Sequence, residues 1–238
     1  MINNHKENLR KIYSKIFGLN LTESELEKAW EVAKSKRITP MGDRTNIAVS
    51  PLMAYELIQV AVGRTTEGIK DKRFKKVREE IIPAVDFALF LKKMGQGEHF
   101  IISRDSPDIT LLKLEKNQRE KIKEYRKIPA LPLEVTFIKE NTLEDIAGSN
   151  INEKIANAII SGKFDKKYEP QTVLLVVLDL ESDFNIHLIS NSLANHPHNY
   201  HDIFIHSQIG ETKLSTARIY PSVDIQVYTE EEMKPLLY

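Results

Sequence analysis

The sequence predicts an α/β fold: a central mixed sheet flanked by helices, preceded by a helical N-terminal region. Three observations carry this. Apolar residues recur at helical spacing through the first ninety-odd positions, the period shortens to that of strands after Gly97, and Thr172–Leu178 is apolar at nearly every position, as in a strand covered on both faces. Order along the chain then reads helices, three strands, helix, buried strand and a mixed tail, which is the pattern of layered α/β architecture.

The elements follow from local chemistry. Thr22-Glu23-Ser24-Glu25 is a capping box ahead of Leu26, Ala29, Trp30 and Ala33. Ser50-Pro51 supplies an N-cap and a first-turn proline for Leu52–Ile58, and Gly63 is placed to end that helix. A third helical stretch starts near Thr66, and a fourth runs from about Pro83 to Met94 before Gly95 and Gly97 stop it. His99–Ser103, Asp108–Leu114 and Leu131–Ile138 are strand candidates. Residues 115–128 are rich in lysine and glutamate and read as an exposed helix or excursion. Asn150 caps a helix whose buried side is Ile151, Ile155, Ala158, Ile159 and Ile160. Phe184–Leu193 reads as helix, with Asp202–Ile209 and Val223–Tyr228 as further strands. We divide the chain into residues 1–79, helical, and 80–238, the α/β domain with a C-terminal extension.

Composition narrows the function classes. The 238 residues contain no cysteine, which excludes disulfides and thiolate metal sites. No apolar run approaches the ~18–20 residues that cross a bilayer, and the polar N-terminus lacks a signal-peptide core, so a cytoplasmic protein without membrane contact is expected. Formal charge is zero, but its distribution is uneven. Residues 64–78 hold seven basic side chains against two acidic ones; residues 179–238 hold three against nine. Arg64, Lys70, Lys72, Arg73, Lys75 and Lys76 are therefore the candidate nucleic-acid contacts, beside the plain alternative of a solvated helix surface.

The chemistry centres on two acids. Pro107-Asp108 opens one apolar run, and Glu134 lies within the next, Pro132-Leu133-Glu134-Val135-Thr136-Phe137-Ile138. A hairpin that brings two carboxylates together makes a hard-cation site. The plain alternative is that Asp108 merely starts a strand while Glu134 pairs with a lysine of the neighbouring excursion. With a helix before the sheet and a helix and strand after it, Pro107-Asp108 and Glu134-Val135-Thr136 resemble the restriction-endonuclease-like nucleases, the PD-(D/E)xK superfamily.

That resemblance covers roughly residues 80–180. It implies a metal-dependent nuclease acting on DNA phosphodiesters, with Asp108, Glu134 and the Val135 carbonyl as ligands of Mg²⁺ or Mn²⁺. It also implies, in many members, a homodimer. Glu79 or Glu80 is the local candidate for an additional upstream acid. Thr136 departs from the pattern, because it stands where a lysine would neutralise charge beside the phosphate. Lys154 on the following helix is the first substitute; Lys113 and Lys139 lie on the wrong strand faces. The alternative is a catalytically inactive protein of this fold that binds nucleic acid or protein.

Two further clusters carry titratable side chains. His196, His198, His201 and His206 with Asp202 suggest zinc, but their spacing fits a polar loop before a strand better. Asp179, Glu181 and Asp183 form a second acidic run, for which the simpler account is that Asp183 caps the next helix. No glycine-rich nucleotide loop and no Gly-x-Ser-x-Gly elbow is present.

Overall fold

Helix caps and strand alternation dictated by the sequence recur in the computed structural model, which describes residues 2–35, 41–42, 47–62, 71–103, 109–113, 130–209, 213–233 and 235. The chain is of the α/β class and forms two compact units. One comprises residues 1–105, 109–130 and 236–238; the other comprises 106–108 and 131–235. The boundary read from the sequence, at 79/80, lies within the first unit.

The first unit holds α1 (Ile2–Lys11), α2 (Glu23–Ser35), a short ladder of β1 (Met41–Gly42) with β2 (Ile47–Ala48), α3 (Pro51–Ala61), α4 (Ile82–Lys93), β3 (His99–Ser103) and β4 (Ile109–Lys113). The Thr22 box is made in both directions: Thr22 N donates to Glu25 Oε2 at 2.8 Å and Glu25 N donates to Thr22 Oγ1 at 3.3 Å. Ser50 Oγ accepts from Met53 N at 3.2 Å and starts α3. Helical structure extends upstream of Pro83, where the sequence placed a start, through a wide π turn at Val77–Ile81. Proline cannot donate to the carbonyl four residues back and crowds it, so a widened turn there follows from its chemistry. β3 and β4 pair antiparallel, His99 opposite Lys113 and Ser103 opposite Ile109.

The second unit positions the site. Its strands are β5 (Ala130–Lys139), β6 (Val173–Asp179), β7 (Asp202–Ile209), β8 (Lys213–Tyr220) and β9 (Asp224–Thr229), adjacent in that order. β5, β6 and β7 run parallel; β8 and β9 are antiparallel additions. Parallel neighbours need crossovers. The chain supplies α5 (Ile151–Ile159), which continues as a π turn at Ile160–Phe164, and α6 (Ile186–Ala194). One sheet face presents Ile138, Leu174, Val176, Leu178, Ile203 and Ile205 to Ile155, Ile159, Ile189 and Leu193 of these helices. β6 is buried at every position from Val173 to Leu178. A last helical turn, α7 (Glu230–Met233), follows β9.

Asn150 caps α5 as expected, its Oδ1 accepting from Asn152 N at 3.0 Å and Glu153 N at 3.1 Å. The cap of α6 is Asn185, not Asp183: Asn185 Oδ1 accepts from His187 N and Leu188 N. β8 was not foreseen. No described helix is long and apolar enough to cross a membrane.

Candidate functional site

In β5, Glu134 sits opposite Leu174, Thr136 opposite Val176 and Ile138 opposite Leu178, so these residues share the sheet face that α5 and α6 cover. Glu134 is therefore a carboxylate carried into an apolar layer, and it retains 4% of its surface. An isolated charge in such a place is strongly disfavoured and has to be paired and hydrogen-bonded.

The pairing comes from the end of α5. Ile151, Ile155 and Ile159 form one stripe, and Lys163 continues it by a further four residues onto the sheet-facing side. Lys163 Nζ donates to Glu134 Oε1 at 2.5 Å and to the Val135 carbonyl at 3.3 Å. Its side chain is 13% exposed. Tyr168 Oη donates to the same Oε1 at 2.6 Å. Lys166 Nζ stands 3.8 Å from that oxygen on a side chain 53% exposed. Among the described residues, the hydrogen bonds of the carboxylate from Lys163 and Tyr168 are both accepted by Oε1, the oxygen that Lys166 also faces.

The clamp is itself braced. Asn199 Nδ2 donates to the Tyr168 carbonyl at 2.7 Å, and the Tyr168 and Tyr200 rings lie 5.4 Å apart. Tyr200 Oη donates to the Lys163 carbonyl at 3.3 Å. Phe164 and Tyr220 hold the His198 ring, at 4.7 and 4.5 Å. The loop before β7 thus fixes the segment that delivers both donors to Glu134.

Lysine reaches Glu134 from a position that sequence reasoning missed. Lys154 Nζ instead donates to the carbonyls of Leu143 at 3.1 Å and Glu144 at 3.5 Å, tying down the short helical turn Glu140–Leu143. The continuing Ile151–Ile155–Ile159 stripe was the signal for Lys163. Asp108, Arg64 and Lys70 lie outside the described residues. Lys72 is exposed, while Arg73 meets Glu25 at 3.0 Å, and Lys75 and Lys76 approach Glu79 and Glu80 one turn on, at 3.9 and 4.0 Å. In the described part of that segment Arg73, Lys75 and Lys76 are thus matched by neighbouring acids, which reduces their field on a polyanion. Glu79 and Glu80 are engaged by the same pairs.

The histidines part company. His196 Nδ1 is 3.0 Å from the Ser192 carbonyl, His201 Nδ1 is 2.5 Å from Asp202, and His206 Nδ1 is 2.9 Å from Thr216 Oγ1 inside the sheet. Burial pulls the His206 imidazole down to about 4. Beyond β6, the backbone amides of Glu181 and Ser182 and the Ser182 hydroxyl all donate to Glu140. That places Glu140 as a loop tie and holds its carboxyl below its ordinary range.

Among the described residues, no three His, Asp or Glu side chains are grouped to hold a metal. What the site offers is one carboxylate and one backbone carbonyl, both hard oxygen donors of the type magnesium and manganese accept. The fit is therefore in donor type only, since Lys163 already donates to both Glu134 Oε1 and the Val135 carbonyl. No protein-family model matches the chain, and no curated protein or solved structure matches it.

Proposed function

We propose that this chain is a metal-dependent nuclease that hydrolyses DNA phosphodiester bonds, with Lys163 supplying the positive charge that Thr136 cannot. One observation carries the reading: the Lys163 ammonium lies against both Glu134 Oε1 and the Val135 carbonyl. Chain order supports it, since α4, β3 and β4 precede β5, and β5 joins a parallel β6 through α5. This is the sequence of elements that the restriction-endonuclease-like resemblance implies.

When bound, the cation polarises the scissile phosphate and lowers the pKa of an attacking water. Glu134 and the Val135 carbonyl are the described residues that would hold it, with Asp108 as the further carboxylate. Tyr168 and Lys163 fix the Glu134 rotamer through Oε1. Lys163 keeps a fixed charge beside the reacting phosphate, where a preorganised cation stabilises charge developing in the transition state. Thr136, one turn of the pleat further along the same face, can orient a water.

A second reading has an observation in its favour. Lys163 and Tyr168 already satisfy Glu134 Oε1 within the fold, as they would in an inactive protein that binds nucleic acid. The two separate in one assay: plasmid DNA with Mg²⁺ or Mn²⁺, parent against Glu134→Ala. The nuclease reading expects cleavage that the substitution abolishes. Absence of cleavage with either metal, or cleavage undiminished in the variant, sinks it.

A further inference from the structure

Two ammonium groups converge on one oxygen of one carboxylate, and they differ in how they are held. Lys163 is nearly enclosed and makes two hydrogen bonds, to Glu134 Oε1 and the Val135 carbonyl. Lys166 is half exposed, and its Nζ, 3.8 Å from Glu134 Oε1, is beyond hydrogen-bond distance. Among the described residues, Lys166 Nζ has no hydrogen bond. Two positive charges against one negative charge leave the cluster cationic, which suits an arriving anion. A half-exposed ammonium that gives up only a long ion pair exchanges partners at little cost.

We propose that Lys166 is the phosphate contact of the Glu134 site, exchanging its long ion pair with Glu134 for a non-bridging oxygen of a nucleic-acid phosphodiester. The inference rests on the nuclease reading for the identity of the site, but not on catalysis. Lys163 stays on Glu134, while Lys166, half exposed on the turn after α5, is the one that changes partner. That turn is fixed, since Lys166 N donates to the Lys163 carbonyl at 3.3 Å and the Tyr168 that follows is clamped to Glu134 and Asn199. Lys167, next in sequence and exposed, makes no ion pair with Glu134 among the described residues, so it serves as an internal control for general charge.

Counterion release makes the contact countable. Each phosphate neutralised on duplex DNA contributes about 0.9 to the slope of log affinity against log salt. Binding of a short fluorescein-labelled duplex is followed by anisotropy in EDTA, between about 50 and 200 mM salt, for the parent, Lys166→Gln and Lys167→Gln. Lys166→Gln is expected to reduce the slope by about 0.9, so that affinity falls roughly three- to fourfold less across that range than in the parent. Lys167→Gln is expected to keep the parent slope. A Lys166→Gln slope equal to the parent's, an equal change in both variants, or no DNA binding by the parent overturns the proposal. Cleavage is not measured, so a protein that binds as expected but fails to cut DNA contradicts only the nuclease reading.

Discussion

Replacing Lys163 by Met removes the inner partner of a buried carboxylate while keeping most of the apolar stem of the side chain. With Glu134 4% exposed and Lys163 13% exposed, little solvent is available to replace the lost ammonium. Breaking a buried pair from one side costs about 3–5 kcal/mol. Two features moderate this: Tyr168 Oη remains at 2.6 Å, and Lys166 starts only 3.8 Å away on an exposed side chain. The expected loss is therefore about 2–3 kcal/mol, below most of that range. Adding Glu134→Gln to Lys163→Met removes the uncompensated charge, so the double variant recovers part of the loss, with a coupling energy of about 1–3 kcal/mol. Urea unfolding followed by far-ultraviolet circular dichroism measures both. Fluorescence does not serve, because Trp30, the one tryptophan, lies in α2 of the other unit. A single-variant loss under about 1 kcal/mol, or strictly additive effects in the double variant, refutes the buried-pair account.

Two further outcomes follow from groups outside the site. His206 is neutral in the fold because burial holds its imidazole near 4, against 6.5 for the ordinary group. Its contribution is complete above about pH 6.5 and is lost as pH falls through about 4, a total of roughly 3 kcal/mol at 1.36 kcal/mol per unit. His206→Asn should flatten the stability-against-pH curve in that window; an unchanged slope contradicts the assignment. Gly148 has φ +153°, and a Cβ there would stand 2.9 Å from the Lys154 backbone nitrogen. Gly148→Ala should cost about 1–3 kcal/mol in thermal unfolding, and an unaltered midpoint would show that the segment before α5 relaxes freely.

What the sequence disclosed was mostly local. Thr22 with Glu25, Ser50 with Met53 and Asn150 with Glu153 are caps written within four residues, and each is made. β6 was legible because a parallel strand covered on both faces needs apolar residues throughout. β8 was hidden by its polar interior: Ser215 and Thr216 are buried, and Thr216 lies between His206 of β7 and Tyr228 of β9. A shared polar layer across three strands erases the apolar alternation by which a strand is recognised. Asn185 displaced Asp183 as a cap by two residues, a choice that side-chain chemistry alone does not make. Glu134 could be singled out as an acid inside an apolar strand. Its partners could not be paired with it by any local rule, since Lys163 and Tyr168 are brought to it only by the β5–α5–β6 crossover. A lysine continuing the apolar stripe of α5 was the available sign.

Cleavage of plasmid DNA by Lys163→Met and Lys154→Met, each confirmed folded by circular dichroism, tests most directly the claim that Lys163 is the charge partner of the Glu134 site. The account predicts Mg²⁺- or Mn²⁺-dependent cleavage by the parent and a loss of about 10²–10³ in kcat for Lys163→Met, as when one preorganised donor is removed from an electrostatic site. Lys154→Met, which loses only its hold on the Leu143 and Glu144 carbonyls, is predicted to retain cleavage within a few-fold. Full activity in Lys163→Met, equal loss in both variants, or no cleavage by the parent would contradict it.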